Sequence, residues 1–452
     1  MVPRDQAPGG RQDAAAPLLT LLRRRDAIAI VVGIVVGAGI FKTPSMVAGV
    51  TGDIGWMMAA WVLGAAISLA GALCYAEMAA AYRHVGGDYH YLTRAYGRHV
   101  SFLYAWARAT VINPGAIALL AFVFGEYMAR VIPLGNMGAA WWAATIVIVL
   151  TLLNVAGLRA SARAQNVLTV IEVTGLAAVV VAGFYAAAGG PADPAPFSTS
   201  PPLGMLGLAM VFVLLTYGGW NEAAYIAAEL KGGRRAIVTV LVVSIAIIAA
   251  AYVAVNAALL HGLALKGLAE SKAPAADVMQ RAFGTLGGQG IALLVAIAAL
   301  TSINATMIVG ARTNYAMARD WSALRFMGGW HSGRGTPSVA HLVQGAISLA
   351  LVAFGALQHD GFEAMVEFTA PVFWSFLLLV GVALFVLRAR DGQTERPYRV
   401  PLFPLTPIVF CLACAWLAWS SVAYAASRDA VHVSLLVMAA GAVALLVTRR
   451  TR

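Results

Sequence analysis

An apolar segment near the N-terminus is interrupted by closely spaced glycines. It runs from Val31 to Phe41 and contains Gly33, Gly37 and Gly39. No water satisfies free backbone groups inside a bilayer, so an interrupted helix is stable there only where it lines a cavity or packs against protein. The N–H groups freed by such a break lie at the positive end of a helix and can hold an anion. The segment therefore predicts a discontinuous membrane helix of the kind that forms binding sites in secondary transporters.

The composition also indicates a membrane protein. The 452 residues are 61% hydrophobic and 11% charged, whereas soluble domains carry about 25% charged residues. Apolar runs of about 20 residues, each able to cross about 30 Å of hydrocarbon, recur along the chain. We therefore expect an all-α integral membrane fold with about twelve spans. In chain order they are 27–48, 55–81, 102–129, 139–158, 164–188, 203–228, 236–260, 288–311, 338–357, 364–387, 403–425 and 431–448.

The positive charges fall mainly in alternate loops. Most of the 31 Lys and Arg residues lie in the N-terminal segment and in every second loop after it. This alternation follows the positive-inside rule and predicts a multi-pass protein of the inner (cytoplasmic) membrane with both termini in the cytoplasm. Orientation explains the net charge of +11, so we expect no nucleic-acid partner. Residues 1–25 have no signal-peptide pattern and are expected to form a disordered cytoplasmic tail.

Patterns typical of enzymes and metal sites are absent from the sequence. Cys74, Cys411 and Cys414 lie in apolar spans and are best interpreted as small buried hydrophobic residues. The eight histidines show no metal-ligand spacing, and there is no nucleophile elbow, phosphate-binding loop or dinucleotide fingerprint. We therefore expect no metal or cofactor and no enzymatic activity. A membrane sensor or enzyme is the alternative from another class.

A second interruption lies in span 6. The run Val213–Glu222 places Gly218 and Gly219 inside an apolar segment. Spans 1 and 6 hold corresponding positions if two five-helix halves repeat, and paired interruptions of this kind indicate a binding site between inverted repeats. The alternative for either break is close helix packing through small residues. The repeats expected are about 27–188 and 203–387.

At these positions the chain resembles the amino acid–polyamine–organocation (APC) superfamily, and most of all the bacterial amino-acid permeases and L-type amino-acid transporters. The similarity extends along nearly the whole chain. The matching motifs are Gly37–Phe41, Gly86–Leu92, Tyr217–Asn221, Tyr252 with Asn256, Arg312–Asp320, Trp374 and Arg396–Pro397.

The resemblance implies a LeuT-type fold with discontinuous spans 1 and 6. Residues 26–390 would form the transporter core of 5+5 inverted repeats, and 391–452 two additional spans. The carboxylate of an amino-acid substrate would bind amides of Ala38 and Gly39, and its ammonium would bind carbonyls of span 6 together with that of Val35. The substrate-binding residues implied are Val35, Gly37, Ala38, Gly39, Leu215, Thr216, Tyr217, Gly218, Asn221 and Trp374.

Two features leave the substrate side chain open. Leu215 occupies the position of a bulky aromatic gate in the L-type relatives, which favours neutral amino acids. Glu222 follows the span 6 break and would favour a cationic side chain if it faced inward, so a cationic amino-acid or polyamine transporter of the same fold is the alternative. Lys42, just beyond the span 1 break, and Glu222 are the gating candidates.

Span 5 departs from the family pattern. Sodium-independent relatives carry a lysine there that substitutes for a bound sodium ion, and this chain has Glu172. An ionisable residue inside a membrane is costly and is a functional candidate by default. The coupling candidates are Glu172 with Ser302 and Asn304 of span 8. Proton coupling, sodium coordination by oxygen ligands and plain exchange with a fixed Glu172 are the three alternatives, the sodium one being the least favoured.

The loop between spans 3 and 4 bears on partners. Eukaryotic L-type relatives form a disulfide with an ancillary subunit from this loop, and residues 130–140 contain no cysteine. We therefore expect no disulfide-linked subunit. The expected partners are a small amino-acid substrate and the lipid bilayer.

Overall fold

The computed structural model describes residues 24–82, 87–157, 162–186, 195–221, 233–331, 335–425 and 430–450. Within these ranges the regular elements are helices, and the one β-type contact is an isolated bridge between His331 and Thr336. Eight of the described helices are long and apolar enough to cross a membrane, and three more are apolar but shorter. The expected all-α membrane fold is confirmed at this level.

Spans 1 to 5 follow the sequence-based ranges closely. Span 1 is divided into a helix, a 3₁₀ turn and a second helix, and span 3 contains one turn of π-helix. The bounds are Arg24–Val35, Ala38–Phe41 and Thr43–Thr51 for span 1, Ile54–Ala81 for span 2, Arg98–Ala107, Arg108–Ile112 and Asn113–Val131 for span 3, Gly138–Val155 for span 4 and Ala162–Tyr185 for span 5. A short helix, Gly87–Tyr96, connects spans 2 and 3.

Spans 6 to 12 complete the described chain. Their bounds are Leu203–Thr216, Gly233–Glu270, Pro274–Asp320, Ser338–Ala356, Gly361–Arg390, Leu405–Ala425 and Ala430–Arg450, with a 3₁₀ segment Ser322–Met327 after span 8. Residues 222–232, including Glu222, lie outside the described part of the chain. So do residues 1–23, on which most of the predicted tail falls.

Spans 7 and 8 are longer than hydropathy predicts. Each contains one non-helical residue, Ala264 (φ 58°) in span 7 and Gly284 (φ 71°) in span 8. A left-handed backbone suits glycine because it has no Cβ. In each span this residue separates a helix of membrane length from a shorter helix. Hydropathy predicts only the helix of membrane length.

The π-helical turn of span 3 has a covalent cause. Pro114 lies two residues beyond its end; proline has no N–H, and its ring clashes with the carbonyl four residues earlier, which lies within the turn. The helix therefore widens over Arg108–Ile112, as helices do where the regular hydrogen-bond pattern is interrupted.

One end of the bundle is held by arginines, and we call it the basic end. The buried carboxylate of Glu77, at the end of span 2, accepts hydrogen bonds from Arg388 Nε at 2.7 Å and from the backbone N–H of Val400 at 2.7 Å. Arg396 Nη1 lies 3.6 Å from the same carboxylate. Spans 2 and 10 are thereby tied to the chain segment that precedes span 11.

A second ion pair at the basic end lies beside the short connecting helix. Asp391, at the end of span 10, accepts hydrogen bonds from Arg94 Nε at 2.7 Å and from the Tyr82 hydroxyl at 3.0 Å. The hydrogen bond from Arg94 is the main reason that the pKa of the Asp391 carboxyl is lowered from its usual value. The connecting helix is thus fixed to span 10.

The opposite end of the bundle is held by a buried lysine. Lys42 is 1% exposed, and its Nζ lies 3.0 Å from both carboxylate oxygens of Glu126 in span 3. Asp360, which precedes span 10, lies 3.7 Å from Nζ, and the carbonyl of Lys272 lies 3.5 Å from it. This cluster joins span 1 to spans 3 and 10 at the end away from the basic loops.

Candidate functional site

The break in span 1 leaves backbone N–H groups at the start of its 3₁₀ turn. The first helix ends at Val35, and Gly37 is extended (φ −138°, ψ 179°). The bonds of the turn run from Ile40 N–H to Gly37 O at 3.4 Å and from Lys42 N–H to Gly39 O at 3.1 Å. Because the first N–H groups of a helix have no acceptor within it, those of Ala38 and Gly39 form its free positive end.

The break in span 6 exposes the opposite kind of helix end. Tyr217 N–H donates to Val213 O at 2.9 Å and Gly218 N–H to Leu215 O at 3.2 Å, which closes the helix. Gly219 then takes a left-handed conformation (φ 98°) that a residue with a Cβ adopts with strain. The carbonyl end of this helix, which carries the negative end of its dipole, therefore faces the break.

The two breaks lie against each other. A Cβ on Gly39 would stand 3.6 Å from Cγ2 and Oγ1 of Thr216, so the absence of a side chain at Gly39 is what keeps this gap open. Thr216 Oγ1 lies 2.7 Å from the hydroxyl of Thr43, at the start of the second helix of span 1. A Cβ on Gly37 would stand 3.7 Å from Ser302 Oγ of span 8. Spans 1, 6 and 8 therefore meet at the breaks.

One tyrosine hydroxyl bridges the carbonyl ends of both broken helices. Tyr252 Oη of span 7 lies 3.0 Å from Val35 O and 3.2 Å from Thr216 O. Its ring is fully buried and packs against Tyr217 at 4.9 Å and Trp61 at 5.6 Å between centroids. The hydroxyl thus meets backbone acceptors that a bilayer would leave unsatisfied.

The helix ends give the gap a defined polarity. One positive end, at Ala38 and Gly39, and two negative ends, at Val35 and Thr216, converge on it. Anions are stabilised at helix N-termini and cations at C-termini. The arrangement suits a small zwitterion without any charged side chain in direct contact.

Of the coupling candidates, Glu172 has the features expected of a functional ionisable residue in a membrane span. It is 8% exposed, and its Oε1 has no hydrogen-bond partner among the described residues. Asn304, by contrast, accepts a hydrogen bond from Asn154 Nδ2 of span 4 at 2.8 Å. Of the two span 8 candidates, Ser302 therefore faces the span 1 break and Asn304 faces span 4.

Two of the substrate residues implied by the resemblance, Asn221 and Trp374, lie beside Phe373 of span 10. Asn221, two residues beyond Gly219, lines a narrow cavity together with Arg108 and Phe373. Trp374 is buried and packs edge-on against Phe373 at 5.0 Å between centroids. Leu215 is half-buried beside the break. The structure therefore brings Val35, Gly37, Gly39 and Thr216 together at the breaks and places Asn221 in the lining of the narrow cavity beside Arg108.

Sequence reasoning missed the roles of Tyr252 and Thr43. Tyr252 and Asn256 were notable only as a family motif, although a tyrosine followed one turn later by an asparagine in an apolar span is itself a signal. Asn256 Nδ2 donates back to Tyr252 O at 2.8 Å. The hydrogen bond from the Tyr252 hydroxyl to Val35 O joins residues 217 positions apart, so no local sequence pattern indicates it.

Multiple membrane-crossing helices with opposed helix ends at two adjoining breaks define a multi-pass membrane transporter. Residues 22–445 match the family model described as amino acid permease. The chain belongs to the amino acid permease family, as the motifs predicted.

Curated relatives agree with this assignment. The chain is 27% identical to b(0,+)-type amino acid transporter 1 of Mus musculus over 86% of its own length and 80% of that protein. It is 26% identical to the cystine/glutamate transporter of Homo sapiens, over 91% and 81% of the two chains. It is 28% identical to the serine/threonine exchanger SteT of Bacillus subtilis (strain 168), over 85% and 86%. These relatives are transporters and exchangers, which confirms the prediction of a permease and not an enzyme.

Proposed function

We propose that the protein exchanges neutral L-amino acids across the cytoplasmic membrane by alternating access. The observation that carries this proposal is the meeting of one positive and two negative helix ends at adjoining breaks. The substrate carboxylate binds the N–H groups of Ala38 and Gly39. Its ammonium binds the carbonyl ends at Val35 and Thr216, in competition with the hydroxyl of Tyr252, while carbonyls of Leu215 and Gly218 lie beside them.

Neutral side chains are favoured by the surroundings of the breaks. The side chains in contact there among the described residues, Thr43, Thr216, Tyr252 and Ser302, are uncharged. A half-buried Leu215 leaves room for an aliphatic or aromatic side chain. Exchange, as opposed to net uptake, is supported by the name of the bacterial relative, a serine/threonine exchanger.

Topology and orientation form part of the same proposal. Spans 1–5 (about 27–188) and 6–10 (203–387) form LeuT-type inverted repeats within a core of residues 26–390, and residues 391–452 add two spans behind it. The basic end faces the cytoplasm, since Arg94, Arg388 and Arg396 lie there and positive loops remain on that side. No disulfide-linked subunit is part of the proposal.

The experiment is exchange by the purified protein in proteoliposomes. Vesicles loaded with unlabelled amino acids are tested against a panel of labelled neutral, cationic and acidic L-amino acids. The same panel includes primary amines without a carboxylate as competitors. Competition by neutral amino acids and none by the amines supports the proposal. Equal competition by the amines would contradict the role of Ala38 and Gly39.

A second candidate substrate class is cationic amino acids. Glu172 of span 5 is buried and has a carboxylate oxygen without a hydrogen-bond partner among the described residues, and it would attract a positive side chain. Preferential exchange of lysine and arginine in the same panel would establish this candidate in place of neutral amino acids.

The alternative to plain exchange is proton-coupled uptake through Glu172. A carboxyl group that is exposed alternately to the two sides of the membrane can bind a proton on one side and release it on the other. In sodium-free buffer, an inward proton gradient should raise uptake severalfold, and Glu172→Gln should abolish this rise. Thr174→Val, an exposed position on the same span, is the control and should retain it. Gradient-independent exchange would leave Glu172 a fixed structural group, and a sodium requirement would indicate an ion site.

A further inference from the structure

A narrow cavity lies between Asn221, just beyond the span 6 break, and the connecting helix. Asn221, just beyond Gly219, lines its inner part, and Asp88 of the connecting helix lines it near the basic end. The π-helical turn of span 3 contributes Arg108 and Ile112, and span 10 contributes Phe373. In this structure the cavity has room for water and not for an amino acid. A larger ligand therefore enters only when the surrounding helices separate.

Arg108 is the cationic residue among those that line this cavity. Its Nη1 donates to the Tyr104 hydroxyl at 2.9 Å, and that hydroxyl donates to Asp88 Oδ2 at 3.0 Å. The hydroxyl therefore links the guanidinium to the carboxylate. A guanidinium has five N–H donors in a planar fork that matches a carboxylate.

The position of Arg108 is unusual in energetic terms. It lies inside a membrane span, where a charged side chain is retained mainly when it faces a water-filled path or a partner. The π-helical turn that carries it displaces its side chain from the regular helical register, and such turns occur frequently at functional sites. The aromatic ring of Phe373 forms an apolar wall of the same cavity.

We propose that this cavity is the closed form of an inner vestibule in which Arg108 binds the carboxylate of an amino acid entering from, or leaving to, the cytoplasm. This inference rests on the proposed function and adds a second carboxylate site to the one at Ala38 and Gly39. The Arg108 site acts when the basic end is open. The substrate carboxylate then passes from the guanidinium to the helix end of span 1, by way of Asn221.

The first test needs no knowledge of the substrate. A single thiol is introduced by Ile112→Cys in a background where Cys74, Cys411 and Cys414 are replaced by alanine. Vesicles that expose the basic end are treated with an anionic or a cationic membrane-impermeant methanethiosulfonate. The anionic reagent is expected to react faster, and Arg108→Gln should lower the ratio of the two rates about tenfold, because it removes the local positive charge.

The matched control removes a different arginine at the same end. Arg94 is 45% exposed and pairs with Asp391 outside the cavity, so Arg94→Gln should leave the ratio unchanged. Arg108→Lys keeps the charge and should retain the ratio, which covers the case in which Arg108→Gln fails to fold. An introduced thiol that neither reagent reaches, or a ratio unaltered by Arg108→Gln, would overturn the vestibule.

The second test separates the vestibule from the proposed function. With an amino acid that the unmodified protein exchanges, Arg108→Gln should raise the KM on the basic side about tenfold and leave the opposite KM within twofold. Arg108→Lys should raise it less, because the charge remains but the fork is lost. Equal changes on both sides would mean a structural role and contradict the proposal. If no amino acid is exchanged while the reagent ratio still falls, the proposed function fails and the anion-attracting vestibule stands.

Discussion

At the scale of single residues, the site depends on which groups donate hydrogen bonds to the backbone carbonyls at the two breaks. A buried carbonyl left without a donor costs about 1–3 kcal/mol. Tyr252 Oη is within hydrogen-bond distance of two such oxygens, Val35 O and Thr216 O, but has one proton to give. A substrate ammonium has three, and its arrival would replace a shared contact with full ones. Tyr252 therefore gives the two carbonyls one shared donor, which a substrate ammonium can displace.

Tyr252→Phe tests this account. Loss of the hydroxyl leaves both carbonyls without its proton, and we expect the maximal exchange rate to fall about tenfold or more, as a penalty of about 1–3 kcal/mol implies. Tyr96→Phe is the matched control, since its hydroxyl also donates to a carbonyl, Leu379 O at 2.8 Å, but away from the breaks. Exchange in proteoliposomes is the measurement. Equal effects of the two variants would contradict a specific role for Tyr252.

Gly39 provides a second prediction at this scale. A Cβ there would fill the gap at ordinary contact distance from Thr216, 3.6–3.8 Å, so Gly39→Ala should fold but obstruct the substrate. We expect KM to rise about tenfold, the equivalent of about 1.4 kcal/mol of lost binding, with little change in melting temperature. Gly290→Ala, where nothing lies within 4 Å of the added carbon, is the control. A lowered melting temperature with unchanged KM would contradict the assignment of this gap as the site.

Sequence alone could predict Gly37, Gly39, Gly218 and Gly219 as break residues, because a glycine that interrupts an apolar run is a local signal. It could also propose Lys42 as a gating residue, since a cation in a span needs a partner. It could not predict the bridge made by Tyr252, which depends on how three spans pack. Glu172 was detectable as a departure from a family pattern, but its unpartnered oxygen was not.

At the scale of helices and loops, one aspartate holds a loop against the start of a span. Asp53 precedes span 2, and its side chain accepts hydrogen bonds from four backbone N–H groups. The donors, at 2.8–3.2 Å, are Gly55, Trp56, Phe197 and Thr199. Phe197 also packs edge-on against Trp56, at 5.3 Å between centroids. The segment before span 6 is thus fastened to span 2 at the end away from the basic loops.

The stability that the hydrogen bonds to the Asp53 carboxylate contribute should decrease in acid. Burial by itself raises the pKa of the Asp53 carboxyl, but the four backbone hydrogen bonds outweigh it and lower the pKa from 3.8 to about 2. A depressed folded-state pKa contributes stability above the unfolded value that is lost as the pH falls toward the folded one. The contribution is on the order of 2 kcal/mol at neutral pH, and about half of it should be gone by pH 3.

Asp53→Asn measures this contribution. The variant should melt at a lower temperature than the unmodified protein at pH 7, and the difference should narrow between about pH 4 and pH 2, because protonation removes the advantage of the carboxylate. Thermal unfolding in detergent, followed by intrinsic fluorescence, gives the two curves. A difference that stays constant over this range would mean that the charge of Asp53 is not what fastens the loop.

Helix boundaries show where sequence reasoning stops at this scale. Spans 2, 4, 9, 10 and 11 agree with hydropathy to within a few residues, because each is a single apolar run of bilayer length. The π-helical turn at Arg108 and the kinks at Ala264 and Gly284 lie inside or beside apolar runs whose hydropathy does not change there. Pro114 was the one available signal for the first of them. The cavity beside Arg108 was therefore not predictable.

At the scale of the whole molecule, both ends of the bundle are closed by buried ion pairs in this structure. Lys42 binds Glu126 at one end, and Glu77 binds Arg388 at the other, and span 10 takes part in both. Removing one partner from a buried pair is costly because it leaves the other charge uncompensated. In the proposed alternating-access mechanism one end opens while the other holds, and we expect each cluster to contribute to the free energy needed to open its own end.

Weakening one cluster should therefore open one end selectively. Glu126→Gln leaves Asp360, 3.7 Å from Nζ, as the remaining carboxylate beside Lys42. A thiol introduced by Thr216→Cys serves as the reporter. It should then react severalfold faster with a thiol reagent applied from the side opposite the basic end. Glu77→Gln should instead favour reaction from the basic end, because it removes the carboxylate that binds Arg388. Arg130→Gln is the control for the first variant: its pair with Asp277 is 43% and 26% exposed and is expected to contribute about 0–1 kcal/mol. A similar gain with Arg130→Gln, or a gain from both sides in either cluster variant, would mean that the bundle loosens as a whole and that the two ion-pair clusters do not act as separate closures.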